Sequence, residues 1–450
     1  MTALYHPSLY DTRQPIESYW AASAGPWDTT GFAPLEGDAE AEVAIIGGGY
    51  TGLTAAYHLA RRHGVQARVL EAAPIGWGAS GRNGGFCCLG SVWLSLDALV
   101  RRFGEAEAAR CVGAMREAVE LVRDLATEEG IALDAQGQGT ITVAHRLSRL
   151  RHLEEEAHAL ARLGAGATAI WSKEELAERG YSSPEAFGAM HQSVGFGLHP
   201  LKYCRGLADA ALRRGAVIHG ESPVIAWRRE GPRHVLQTPR GTVTARRVLI
   251  ATNGFTRDEL HKALDGCLLP ALSNIVVTRP LSDSELAAQG VTTEMPTSDT
   301  RGLLFYVRLL PDRRFMFGAR GGLDASPESS SLQRAFLERR LREMYPAWRD
   351  VETTHFWRGP VCLSAAFTPH IARLDEAGTV TCALAYHGSG VAMSGWAGRA
   401  AAALTLGVDG AEAAIPAPLA TMPRRWPVAR FRLFWLRLAY LGFRLKDELF

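Results

Sequence analysis

From Val43 to Glu71 the sequence passes from an apolar run through a glycine turn and an amphipathic stretch into a second apolar run that ends on an acid. Few folds accommodate that order. Val43 to Ile46 suits a strand buried on both faces, and Gly47, Gly49 and Gly52 follow at once. Gly47 permits a tight turn, Gly49 leaves room for a pyrophosphate, and Gly52 lets the next helix pack against the sheet. The free amides of that helix's first turn, around Tyr50 and Thr51, then face the phosphates. Leu53, Ala56 and Leu59 or Ala60 form its apolar stripe, Gly64 stops it, and Ala67 to Leu70 is a second strand. Glu71 stands where an acid bonds a ribose hydroxyl, which disfavours a phosphorylated ribose and so NADP. The unit predicts a βαβ dinucleotide site; the same glycines in an ordinary turn lack this context.

A chain of 450 residues is too long for one core, so two or three domains are expected. The balance of 49 basic against 47 acidic residues provides no field for nucleic acid. Seven scattered cysteines form no metal-ligand spacing, and no metal site is expected. They read as reduced thiols. With no basic-then-apolar leader and no apolar run of spanning length, a cytoplasmic location is expected.

After Glu71 comes Ala73-Pro74-Ile75-Gly76-Trp77-Gly78-Ala79-Ser80-Gly81-Arg82-Asn83-Gly84-Gly85-Phe86, with five glycines in fourteen residues. Such a segment is backbone laid against a ligand or a set of tight turns. With the motif before it, this segment resembles the flavin-dependent amine oxidases of the D-amino-acid oxidase superfamily, in particular the gamma-glutamylputrescine oxidoreductases. Further blocks carry the likeness: Ser18 to Ser23, Leu198 to Tyr203 leading to Ser222-Pro223-Val224, Ala251-Thr252-Asn253-Gly254, and Trp357 onward.

The resemblance implies noncovalent FAD, held by Gly47, Gly49, Tyr50, Thr51, Gly52, Glu71, Ala79, Ser80, Arg82, Asn83, Gly84 and Gly85. It adds Val224 at the adenine edge, Thr252 and Asn253 beside the cofactor, and Gly388, Ser389, Gly390 and Val391 at a helix start whose positive end faces the flavin. His387, Tyr386, Arg320 and Trp357 are the candidates around the reacting centre. His387 reads equally as a structural histidine, Tyr386 as a pocket-shaping group, Arg320 as a surface ion pair, and Trp357 as core. Relatives commonly carry His or Arg where this chain has Ser389. Relatives that oxidise free amino acids hold the carboxylate with an arginine at the position of Val361, which argues against a simple α-amino acid. Cys362 differs by a residue from the offset of the covalent flavin cysteine in some relatives.

The expected fold is α/β, a Rossmann-like FAD-binding domain interleaved with an antiparallel-sheet substrate domain of the D-amino-acid oxidase type. Its expected boundaries are an arm at 1–40, flavin-domain stretches at 41–98, 199–255 and 359–408, substrate-domain stretches at 99–198 and 256–358, and a tail at 409–450. From Arg424 the tail holds seven basic and two acidic residues among aromatic and aliphatic ones at helical spacing. That pattern suits a membrane surface, although docking on the body is the plainer expectation. The expected reaction is oxidation of a primary or secondary amine to an imine, with dioxygen reoxidising the flavin to give hydrogen peroxide. Alternatives are a dehydrogenase serving a quinone or carrier protein, and an FAD-binding protein without turnover. The oligomeric state is left open.

Overall fold

The computed structural model describes residues 4–90, 92–408 and 414–449. The first five residues of the 409–450 tail expectation, 409–413, and its last, 450, lie outside them. Two eight-stranded sheets organise the chain. The first has the order His370–Arg373, Val380–Leu384, Gly241–Ile250, Gly37–Ile46, Arg68–Leu70 and Val217–His219, with Arg233–Gln237 and Ala226–Glu230 continuing from Gly241–Ile250 as a meander. Its central pairings are parallel, and the buried register Ile46 with Ile250 and with Leu70 brings three strand ends together. Strands buried on both faces need apolar side chains throughout, which Val43 to Ile46 and Val248 to Ile250 supply.

Helices Tyr50–His63, Glu105–Glu129, Pro200–Arg213 and Gly390–Leu406 share one core against this sheet. The first and last of these approach closely at Gly398, where a Cβ would overlap the Thr51 carbonyl and stand 3.2 Å from Thr54 Cβ. That contact sets two helix N-termini side by side above the ends of the parallel strands.

The second sheet takes its strands from 140–192 and 268–364 and is antiparallel, except where Thr297–Asp299 pairs parallel with Thr140–Val143. The flavin-type sheet is thus interrupted twice by the other. Strand Thr353–Ser364 stays in the second sheet past residue 359, where the third flavin-domain stretch is expected to begin. The expected strands from Gly302 and Arg314 run from Phe305 to Leu309 and from Phe315 to Arg320. The helix Arg432–Leu449 lies on this sheet through Leu436 and Tyr440, which pack with Leu269, Ala271 and Leu363.

Five of the six histidines buried among the described residues give the fold a marked acid weakness. Burial lowers His58 and His387 to about 3 and His145, His199 and His370 to about 4. Below the ordinary value near 6.5 the unfolded chain takes up protons that the native one refuses, so stability falls as pH drops from there toward 4. A thermal midpoint that is flat between pH 7 and pH 4 would contradict this.

Candidate active site

A cavity of about 610 Å³ follows the ends of the parallel strands, from Glu71 and Val224 at one end to Val361, His387 and Gly388 at the other. Its floor is the glycine turn. Gly47 has φ +110°, and a Cβ there would come 2.8 Å from the Ala251 carbonyl oxygen; at Gly52 it would overlap the Gly47 carbonyl. Glu71 accepts from the N–H of Gly48 at 2.6 Å and of Ala73 at 3.1 Å, and burial raises its pKa. Ser80 Oγ accepts from Tyr50 N–H at 3.0 Å, which fastens the GASGRNGGF segment over the turn. Asn83 completes that fastening by donating to the carbonyls of Ala79 and Ser80 and accepting from Gly85 N–H at 2.8 Å.

The opposite end is built from the turn before Gly390–Leu406. Ala385, His387 and Gly388 all have left-handed backbones, with φ of 67°, 54° and 112°. Such geometry persists only when surroundings enforce it. Asn253, itself at φ 43°, accepts from Ala385 N–H at 2.8 Å, and His387 N–H donates to the Cys362 carbonyl at 3.1 Å. Tyr386 donates its hydroxyl to the Ala383 carbonyl at 2.9 Å and lies 2.8 Å from Thr51 Oγ1. It therefore ties the two helix starts together.

These residues fit an extended dinucleotide. The N–H groups of Gly49 and Thr51 at one helix start, of Gly390 and Val391 at the other, and of Val224 have no acceptor among the described residues. Glu71 retains lone pairs for a diol beyond the two N–H groups it accepts. Residues 42–404 match the family DAO, FAD dependent oxidoreductase. The chain belongs to this family. It is 31% identical to the gamma-glutamylputrescine oxidoreductase of Escherichia coli, over 87% of this chain and 89% of that protein. It is also 31% identical to a probable oxidoreductase, OrdL, of Haemophilus influenzae, over 84% and 86% of the two chains. In fold it is similar to glycine oxidase from Geobacillus kaustophilus, with a TM-score of 0.70 over 86% of this chain and all of that one, at 22% identity. Like its family, it is an FAD-dependent oxidoreductase.

Against this FAD-family frame, several expected contacts fall elsewhere. Gly47, Gly49, Tyr50, Thr51, Glu71, Ala79, Ser80, Asn83, Val224, Thr252, Asn253, Gly388, Gly390 and Val391 line the cavity. Arg82, Gly84, Gly85, Ser389 and Gly52 do not. Arg82 is buried and donates to the carbonyls of Trp77, at 2.9 Å, and Arg358, at 3.2 Å, so it fixes the loop from behind. Ser389 turns toward Gly90, where its Cβ would stand 3.3 Å from a Cβ added there. Trp357 lies in the core against Trp20 and donates to the Arg82 carbonyl at 2.7 Å, so it is packing rather than a cavity wall.

Arg320 is not in a surface ion pair; it stands beside the Gly388 end of the cavity without lining it. It donates to the His387 carbonyl at 3.2 Å, lies 4.7 Å over the Trp93 ring, and pairs with no carboxylate among the described residues. Burial lowers its pKa. A Cβ on Gly388 would touch Arg320 Nη2 at 2.7 Å and Val361 Cγ1 at 3.9 Å. Arg320 and Val361, from two different strands, thus both stand beside Gly388.

Sequence reasoning missed the arm and the tail. Leu4, Pro7, Tyr10 and Thr12 line the cavity, as do Phe255, Pro270 and Arg432. Arg432 is buried and pairs with Asp258 at 2.7 Å. No motif spacing links residue 10 or 432 to residue 47, so only the fold reveals them.

Proposed function

We propose that this FAD-dependent oxidoreductase oxidises an amine that also carries an anionic group, an amino-acid-like amine or a carboxylated polyamine derivative. The product is an imine, which water opens to a carbonyl compound and a released amine. The observation that carries the reading is the chemistry at the Val361 to Gly388 end of the cavity. Burial holds His387 near 3, pushes the Cys362 thiol up to about 12, and raises Tyr386, whose hydroxyl is already bonded. A site with such poor bases suits a donor whose own nitrogen lone pair drives loss of the α-hydrogen; an alcohol needs a base for its hydroxyl proton.

When bound, FAD supplies a two-electron acceptor for that hydrogen, and dioxygen is the terminal acceptor that yields hydrogen peroxide. The start of helix Gly390–Leu406 places partial positive charge where negative charge develops. Arg320 holds the substrate's anionic group, and its guanidinium lies over the ring of Trp93, which stacks on Phe367. The likeness to a gamma-glutamylputrescine oxidoreductase supports this class, because that donor carries both an amine and a carboxylate.

The test is anaerobic mixing with putrescine, its gamma-glutamyl derivative and N-methyl amino acids, followed by loss of the yellow flavin absorbance. Carboxylated amines are expected to bleach it. Arg320→Met is expected to raise KM for them about 10- to 100-fold, the cost of a lost charge-assisted hydrogen bond, while uncharged amines change little. Bleaching by putrescine alone would remove the anionic group from the reading, and no bleaching by any amine would sink it.

A further inference from the structure

The tail helix Arg432–Leu449 has two apolar faces, and the body covers one of them. Phe434, Trp435, Leu438, Leu441 and Leu445 recur at steps of three and four residues along the other, each between 42% and 56% exposed. Phe431, at 49%, continues the row by one step before the helix begins. At 100° per residue these side chains share one side of the helix, opposite the docked Leu436, Tyr440 and Phe443. A continuous apolar row along four turns marks an interaction surface.

The edges of the row say what covers it. Arg430, Arg437 and Arg444 follow one edge and Lys446 the other, and no carboxylate among the described residues pairs with any of them. Arg437 and Arg444 also line a cavity of about 330 Å³ beside Leu441, together with Ser329, Gln333 and Asp324. We propose that this face seats on an anionic lipid surface, with the apolar row in the acyl boundary and Arg437 and Arg444 on lipid phosphates. Two copies of the face laid together would bring cationic edges against cationic edges, whereas anionic headgroups neutralise both. Trp435, at the start of the row, has the amphipathic ring favoured at a membrane interface. No helix among the described residues is long and apolar enough to cross a membrane, so the geometry is that of a helix lying on one.

The test is co-sedimentation of the holoenzyme with vesicles of phosphatidylcholine alone and of phosphatidylcholine with an equal part of phosphatidylglycerol. At least about ten-fold more protein is expected on the mixed vesicles, falling as salt is raised. Phe434→Ser with Leu438→Ser is expected to abolish binding, and its flavin spectrum and melting temperature report whether it remains folded. Arg437→Gln with Arg444→Gln alters only an exposed charged edge and is expected to remove the preference for anionic vesicles. Holoenzyme that stays in the supernatant with both vesicle types overturns the proposal, as does undiminished binding by both variants. Loss of a wild-type dimer in the serine variant, with no vesicle binding by either protein, assigns the face to a second copy and also overturns it.

Discussion

Gly52→Ala is expected to purify colourless, with flavin affinity reduced at least about 100-fold, an equivalent of about 3 kcal/mol. The added Cβ would overlap the Gly47 carbonyl oxygen and stand 3.1 Å from both the Gly47 carbonyl carbon and Ile45 Cγ2. No side-chain rotation relieves a clash with backbone. The turn must move instead, and Gly47 at φ +110° is already pinned against the Ala251 carbonyl at its other side. Any shift re-aims the Gly49 and Thr51 N–H groups that suit phosphate. Gly49→Ala should be milder, because its Cβ would meet Ser80 Oγ at 2.8 Å, an atom that can rotate at the expense of its bond to Tyr50 N–H. Gly64→Ala is the control: nothing lies within 4 Å of its Cβ, so only the strain of φ +65° is added and flavin content should hold. Flavin-to-protein ratio and titration of the apoprotein with FAD measure the series. Acid precipitation of wild type should release the flavin, since the buried Cys362 thiol is held in its neutral form. Stoichiometric flavin in Gly52→Ala would refute the argument.

The same turn marks how far local sequence carries. Gly47, Gly49, Gly52 and Glu71 act within about 25 residues of one another, through steric and hydrogen-bond rules that depend only on the intervening strand and helix, so their placement follows from the chain read in order. Gly85 does not work that way. It reads as one more ligand-facing glycine, yet its φ of 71° and missing Cβ make room for the Leu198 carbonyl and the Arg308 guanidinium. Arg82 is similar: the resemblance places it on the cofactor, and its partners are carbonyls at residues 77 and 358.

Non-local pairing explains the remaining surprises. Ser273 pairs with Arg320 and Ala271 with Val361 on opposite sides of one strand, Leu268–Thr278, which is why residues from strands two places apart meet beside Gly388. Nothing in the spacing of 271, 320 and 361 encodes that arrangement. The tail shows the same limit in another form, since its two apolar faces are visible as periodicity, but which face docks is decided by Leu269, Ala271 and Leu363.

Arg308→Met is expected to destabilise the protein by about 3–5 kcal/mol, because several buried acceptors lose their donor together. Arg308 is 2% exposed and has no carboxylate partner among the described residues. Its charge is met by dipoles: Nη1 donates to the carbonyls of Leu198 at 2.8 Å, Gly84 at 3.1 Å and Gly85 at 3.3 Å, and Nη2 to Gln136 Oε1 at 3.2 Å. Burial lowers its pKa only to about 10, so it stays cationic at neutral pH. Methionine fills much of the volume but takes the donor from the Leu198 and Gly84 carbonyls and Gln136 Oε1, each costing about 1–3 kcal/mol before relaxation, while the Gly85 carbonyl keeps the Leu198 N–H at 2.9 Å. The carbonyls belong to the GASGRNGGF segment and to the chain entering helix Pro200–Arg213, while Arg308 stands on strand Phe305–Leu309 of the other sheet. Cutting the contact therefore loosens the two sheets from each other and frees the loop over the glycine turn. Arg308→Lys should recover only part of the loss, because one ammonium cannot span acceptors that a planar fork reaches on two sides. Denaturant unfolding of the apoproteins and flavin retention on dilution measure both effects. A loss below about 1 kcal/mol in Arg308→Met would mean that water or relaxed backbone satisfies those carbonyls without the cation.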